Sequence, residues 1–232
     1  MGKNQYEILI GLLRLLLEEK GVLEKLILTG SWGVVLYRKF FKAPGVYPAI
    51  RTRDVDFIVP ENFEISEKVD VAELLKDLGF IVEINRADNF MRLMHPALIV
   101  EFLVTRKGRG SKKAREIKPL GVTALPLRYL NYLESKVVII EFEGLRVKVP
   151  DPAVFALHKL TIMNRRKSRE KKEKDKRQAK SVLAFLLTNG REEEIRDAIR
   201  LMHPKWFQTA VNNLKMEDGT DLLQQLEEIA RL

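Results

Sequence analysis

Every strand-like stretch of this 232-residue chain lies before Pro150, and everything after Pro152 carries helical spacing only. Proline donates no ladder hydrogen bond and does not sit inside a helix, so two of them at one junction mark a change of architecture. Upstream, short β-branched runs alternate with amphipathic stretches, the pattern of an α/β (α+β) fold with a mixed sheet flanked by helices. The expected organisation is therefore residues 1–150 as the sheet-containing part and residues 151–232 as an all-helical part. No internal repeat is visible.

Tyr6 to Lys20 reads as an amphipathic helix with Ile8, Leu12, Leu15 and Leu16 on one face and Gly21 as its stop. Lys25 to Thr29 is predicted as a strand ended by Gly30-Ser31, and Trp32 to Phe41 as a helix. Lys42 to Arg53, with two prolines and a glycine, reads as a loop. Asp54 to Val59 is predicted as a strand and Glu67 to Leu78 as a helix closed by Gly79. Phe80–Ile84, Phe90–Met94 and Leu98–Thr105 follow as strands. A basic loop from Arg106, a short helix near Arg128–Leu133 and a hairpin turned at Glu143-Gly144 complete the first part. Beyond it, Ala153 to Leu187 reads as helical with a break in its charged run, and two or three helices finish the chain.

Composition narrows the chemistry. There is no cysteine, which excludes disulfides, thiol nucleophiles, iron–sulfur clusters and every cysteine-based zinc site. The three histidines, His95, His158 and His203, are far apart, so neither a histidine metal centre nor a serine–histidine triad is expected. The most apolar N-terminal stretch, Ile8 to Leu17, is interrupted by Arg14 and falls short of the ~20 residues of a membrane span. With acids on both flanks it is no signal peptide either. A cytoplasmic chain with no membrane partner is the expectation.

The net charge of +9 is concentrated. Arg165 to Lys180 holds ten basic residues against three acids, and Arg106 to Lys118 seven against one. Two such windows collect phosphates in a salt-dependent way, or else form solvated helix and loop faces.

Three further features carry chemistry. In Asp54-Val55-Asp56-Phe57-Ile58-Val59 the two aspartates share one strand face, where their charges repel unless a cation intervenes; a solvated strand edge is the alternative. Glu101 lies within Leu98-Ile99-Val100-Glu101-Phe102-Leu103-Val104, a run apolar enough to suggest cover on both faces. A carboxylate there must be protonated, paired with a base such as Arg92, or turned toward a metal. Thr29-Gly30-Ser31-Trp32-Gly33 joins a strand to a helix, where glycine admits a ligand to the backbone and the helix start favours an anion. Ser31 either donates to a phosphate or caps the helix.

In this order, Gly30-Ser31, then Asp54 and Asp56, then Glu101, the chain resembles the DNA polymerase β nucleotidyltransferase superfamily. Its pattern is hydrophobic-Gly-[Gly/Ser], acid-x-acid, and a lone acid on a later strand. Pro152 to Leu160 and Lys174-Asp175-Lys176-Arg177-Gln178-Ala179 are similar to the C-terminal part of stand-alone prokaryotic nucleotidyltransferases, a group similar to the abortive-infection nucleotidyltransferase toxins. The chain departs in a longer interval between Ser31 and Asp54, with an insertion over Lys42–Arg53, and in having glutamate as the third acid.

The resemblance implies a nucleotidyltransferase-type mixed sheet and transfer of an NMP from an NTP to an acceptor hydroxyl. Two Mg2+ ions, or Mn2+ in their place, would be held by Asp54, Asp56 and Glu101. Gly30 and Ser31 would bind the β- and γ-phosphates. Lys159 leads the candidates for triphosphate neutralisation, followed by Arg53, Arg166 and Lys174; a snorkelling surface position is the alternative for Lys159. Asp175 would orient one of these cations. His158 reads as a satisfied core histidine, Trp32 as packing between helix and sheet, and Trp206 and Phe207 as core. The basic windows favour RNA or tRNA as acceptor, a choice that rests on charge and analogy. Two other classes stay open: a non-catalytic nucleic-acid- or partner-binding module on the same fold, and a toxin held by an antitoxin protein.

Overall fold

A computed structural model describes residues 3–42, 52–108, 112–216 and 220–231 of the chain, which divides between Val149 and Pro150 into two units. Most of the loop expected over Lys42–Arg53, and Arg109 of the first basic window, lie outside the described residues. Among the described residues no helix is long and apolar enough to cross a membrane.

The first unit begins with α1 (Lys3–Glu18). It buries Leu9, Leu12, Leu13 and Leu16, an i, i+3, i+4, i+7 stripe. The expected stripe shared only Leu12 and Leu16 with it; Ile8 and Leu15 flank the core instead. Lys20 and Gly21 both take positive φ, which turns the chain into the one-turn α2 (Val22–Lys25). Then come β1 (Ile27–Thr29), α3 (Gly30–Phe40) and β2 (Asp54–Ile58). The helix expected over Glu67–Leu78 is shorter: α4 covers Val71–Leu74, followed by a 3₁₀ turn at Lys76–Leu78. Asp70 stops it from starting earlier, because its side chain caps α4 by accepting from Glu73 N at 3.0 Å. Just before it, Val69 N donates to Pro119 O instead of to a helix.

Strands β3 (Ile81–Asn85), β4 (Phe90–Met94) and β5 (Ile99–Thr105) follow. Two strands lie where the sequence suggested only loop: β6 (Arg115–Ile117) and β7 (Val122–Leu127). Charge hides β6, and Pro126 hides β7. That proline is tolerated because β6 pairs with β7 only over Val122–Ala124, so Pro126 lies beyond its reach. After α5 (Leu130–Glu134), β8 (Val137–Phe142) and β9 (Leu145–Pro150) form a separate hairpin.

The main sheet runs β1-β2-β5-β4-β3, with β7 also on β5 and β6 on β7. β5 is its axis. It is parallel to β2 along one edge; on the other edge its first half is antiparallel to β4 and its second half parallel to β7. Val55, Phe57, Val100 and Phe102 face one way and are fully or almost fully buried, with the Phe57 and Phe102 rings stacked at 6.0 Å.

After Pro150, where β9 ends, every regular element among the described residues of the second unit is a helix or a 3₁₀ turn. The unit comprises α6 (Pro152–Ile162), a 3₁₀ turn at Met163–Arg165, α7 (Arg169–Thr188), α8 (Glu192–Leu201), α9 (Pro204–Lys215) and α10 (Thr220–Arg231). Asp151 caps α6 through Ala153 N and Val154 N, at 2.9 and 3.3 Å, with Pro152 at the position where a missing N–H costs nothing. Asn213 of α9 donates to the Leu160 carbonyl at 2.8 Å and so ties α9 to α6.

Candidate active site

The acids of the first unit share one face of the sheet because of strand register. Alternation turns Asp54 and Asp56 to one face of β2, and Asp56 pairs with Glu101 across the parallel ladder to β5. Residues opposite one another in adjacent strands share a face, so all three carboxylates stand on the same side of the sheet. β2 lies between β1 and β5, with Asp56 paired on both sides and Asp54, beyond the end of β1, paired on β5 alone. The row through Asp56 crosses the whole sheet: Thr29, Asp56, Glu101, Arg92, Glu83.

The acid-bearing face is half-open. Asp54, Asp56, Ile99 and Glu101 are all of intermediate exposure, so β5 is not covered on both faces as its apolar run suggested. Glu101 takes one of the three fates open to it in the sequence. Arg92 Nε donates to its Oε1 at 2.7 Å, with the Arg92 side chain 43% exposed and that of Glu101 18%. A pair that open to solvent contributes about 0–1 kcal/mol.

Gly30 closes the site from the side. It sits at φ 69 where β1 passes into α3, and a Cβ there would collide with Asp56 Oδ2. Only glycine satisfies both the left-handed backbone and the close approach. Ser31 is buried in the first turn of α3. The cap position belongs to Thr29, which makes no side-chain capping bond, so Ser31 is not the helix cap. Arg53 Nη2 donates to His95 O at 2.8 Å rather than to the neighbouring Asp54.

The donor set of Asp54, Asp56 and Glu101 is all carboxylate oxygen, the chemistry that suits a hard divalent cation. The pleat puts the two aspartates and the glutamate on one face, and Gly30, lacking a Cβ, leaves the Asp56 carboxylate its place. As placed, no group of three or more His, Asp or Glu among the described residues stands ready to hold one ion. The residues fit the group in kind and in face, with Glu101 engaged by Arg92.

Of the other named residues, the second unit brings Lys159 and Arg166 together. Lys159 Nζ and Arg166 Nε donate to the two oxygens of Asp175, at 2.7 and 2.5 Å. Asp175 is 2% exposed and Lys159 6%, so Lys159 is a buried, paired lysine and not a snorkelling one. Burial by itself would raise the Asp175 pKa; the charges and hydrogen bonds of Lys159 and Arg166 outweigh it and hold the carboxyl below its ordinary value. Asp175 thus holds both cations, where the sequence suggested one. Lys174, beside it on α7, is half-buried. His158 is core, at 5% exposure, yet neither ring nitrogen has a hydrogen-bond partner among the described residues. Burial, reinforced by the Lys159 charge, pushes its pKa down to about 3. Trp32 is fully buried as expected, whereas Trp206 and Phe207 are only half-buried.

A family model described as nucleotidyltransferase matches residues 10–203, a span that includes every site residue named above. The chain belongs to that nucleotidyltransferase family. Its fold is similar to the crystal structure of an antigenic nucleotidyltransferase-like protein from Paracoccidioides brasiliensis, with a TM-score of 0.53 and 15% identity over 98% of this chain and 94% of that one. A tRNA nucleotidyltransferase complexed with a primer tRNA and an incoming ATP analog matches with a TM-score of 0.24 and 19% identity, over 88% of this chain and 59% of that one. No curated protein matches.

Within this family member, sequence reasoning under-read Asp175. The signal was present in the spacing: Asp175, Ala179, Val182 and Leu186 fall on one helical stripe, and all four are buried. Glu83, which ends the acid row, carried no signal, because nothing in the sequence sets the register of β3 against β4.

Proposed function

We propose that this chain is a Mg2+-dependent nucleotidyltransferase that moves an NMP from an NTP to an acceptor hydroxyl, with an RNA or tRNA end as acceptor. The observation that carries this reading is the register of Asp56 against Glu101, on the face shared with Asp54, with Gly30 packed against Asp56. Family membership and fold support nucleotidyl transfer; the acceptor follows from the two basic windows.

On this reading Asp54 and Asp56 serve both ions. Glu101 takes the nucleophile side and accepts the proton of the attacking hydroxyl as the new bond to the α-phosphorus forms and pyrophosphate leaves. Bound Mg2+, or Mn2+ in its place, supplies positive charge at the attacking and leaving oxygens. Gly30 and Ser31 offer the start of α3 to the β- and γ-phosphates. Arg53 neutralises charge on the triphosphate. Within the second unit, Asp175 fixes Lys159 and Arg166.

The Arg92–Glu101 pair favours a second reading, a nucleic-acid-binding module on a retired transferase fold, because it engages the third acid. One experiment separates the two. The protein is incubated with Mg2+, each α-labelled NTP in turn and total RNA, alongside Asp56→Asn. Label transferred to RNA by the wild type and lost by more than about a hundredfold in the variant supports catalysis. Tight RNA binding with no label on any acceptor supports the module.

A further inference from the structure

We propose that Arg92 is a positioning residue that holds Glu101 toward β4 until a divalent cation displaces it, whereupon its guanidinium passes to Glu83. The inference rests on the metal-dependent reading above and deepens it.

Three observations carry it. β5 lies between β2 and β4, so Arg92 draws the Glu101 carboxylate away from the strand that bears Asp54 and Asp56. The ion pair at 2.7 Å coincides with the lack of any closed three-carboxylate set among the described residues. Across β3, the register sets Glu83 directly opposite Arg92 on the far side from Glu101, so one guanidinium stands between two carboxylates. Its guanidinium carbon lies 5.5 Å from the Phe90 ring centroid and its side chain is 43% exposed, so the guanidinium can shift across the ring face with solvent around it.

Charge decides the direction of the exchange. Without a cation, Asp54, Asp56 and Glu101 crowd one face, and Arg92 relieves the third charge. A divalent cation between the aspartates makes that relief redundant and repels the guanidinium, for which Glu83 is the register neighbour ready to receive it. Glu83 is exposed on an outer strand, so receiving Arg92 there disturbs no packing.

The test reads cation affinity, not turnover. Mn2+ binding to the full chain is measured by electron paramagnetic resonance for wild type, Arg92→Met, Glu83→Gln and the double variant, with Arg92→Gln in parallel in case the methionine impairs folding. Arg92→Met and Arg92→Gln should each bind Mn2+ about fivefold more tightly, the ratio that so exposed a pair can withhold. Glu83→Gln should weaken binding about twofold to threefold in the wild-type background and have no effect once Arg92 is gone. Unchanged or weaker affinity in both Arg92 variants overturns the proposal, as does a Glu83 effect that persists without Arg92. If no variant, wild type included, binds Mn2+, the metal-dependent reading fails and the positioning role fails with it.

Discussion

Gly30 meets two demands at once, a left-handed backbone and contact with the Asp56 carboxylate. Gly30→Ala should therefore cost about 1–3 kcal/mol of stability and remove transfer activity; thermal unfolding and the label-transfer assay read the two effects. His158 makes a different demand. Its folded pKa of about 3 lies below the ordinary 6.5, so below pH 6.5 the unfolded chain binds a proton that the folded chain refuses. Its contribution to stability is thus complete above pH 6.5 and is lost as pH falls toward about 3, up to about 5 kcal/mol over the window. Urea midpoints from pH 7 to pH 4 should fall steeply for wild type and more shallowly for His158→Leu. Equal slopes would contradict the assignment. Asp175, with its depressed pKa, contributes in a separate window: its share is present above 3.8 and is lost only as pH drops through its folded value.

At the scale of elements, α6 and α7 are joined by a carboxylate that two cations share. Removing Asp175 leaves a buried lysine charge without its partner, so Asp175→Ala should cost about 3–5 kcal/mol. Arg166→Ala should cost far less, because that side chain is 36% exposed and Lys159 still satisfies the acid; chemical denaturation of the two variants gives the ranking. The same elements show what the sequence made legible. Strands such as Phe90–Met94 and the hairpin at Glu143-Gly144 announce themselves by composition and turn chemistry, and α7 by period. β6 and β7 do not, because charged residues and Pro126 mask pairing that only β5 makes favourable. Asp54, Asp56 and Glu101 were legible as residue types in order. Their shared face depends on the parallel register of β2 and β5, and the hold of Arg92 on Glu101 on that of β4; both are tertiary facts.

For the molecule as a whole, an RNA acceptor as proposed would be held through phosphate contacts at the basic windows. If about four phosphates are neutralised, RNA affinity should fall roughly fiftyfold between 50 and 200 mM salt. Lys171→Glu and Arg177→Glu, on exposed positions of α7, should weaken binding alike for unrelated RNA sequences in filter-binding titrations. A salt-independent affinity would argue that the charge serves solubility alone. On the proposed reading, three distant acids set on one face by strand register hold divalent ions beneath a nucleotide. The most direct measurement is a crystal structure of the full chain with Mg2+ and a non-hydrolysable NTP. The account predicts metal density against Asp54 and Asp56, triphosphate density at Gly30 and Ser31, and Glu101 released from Arg92. A nucleotide bound elsewhere, with Glu101 still on Arg92 and no ion at the aspartates, would contradict it.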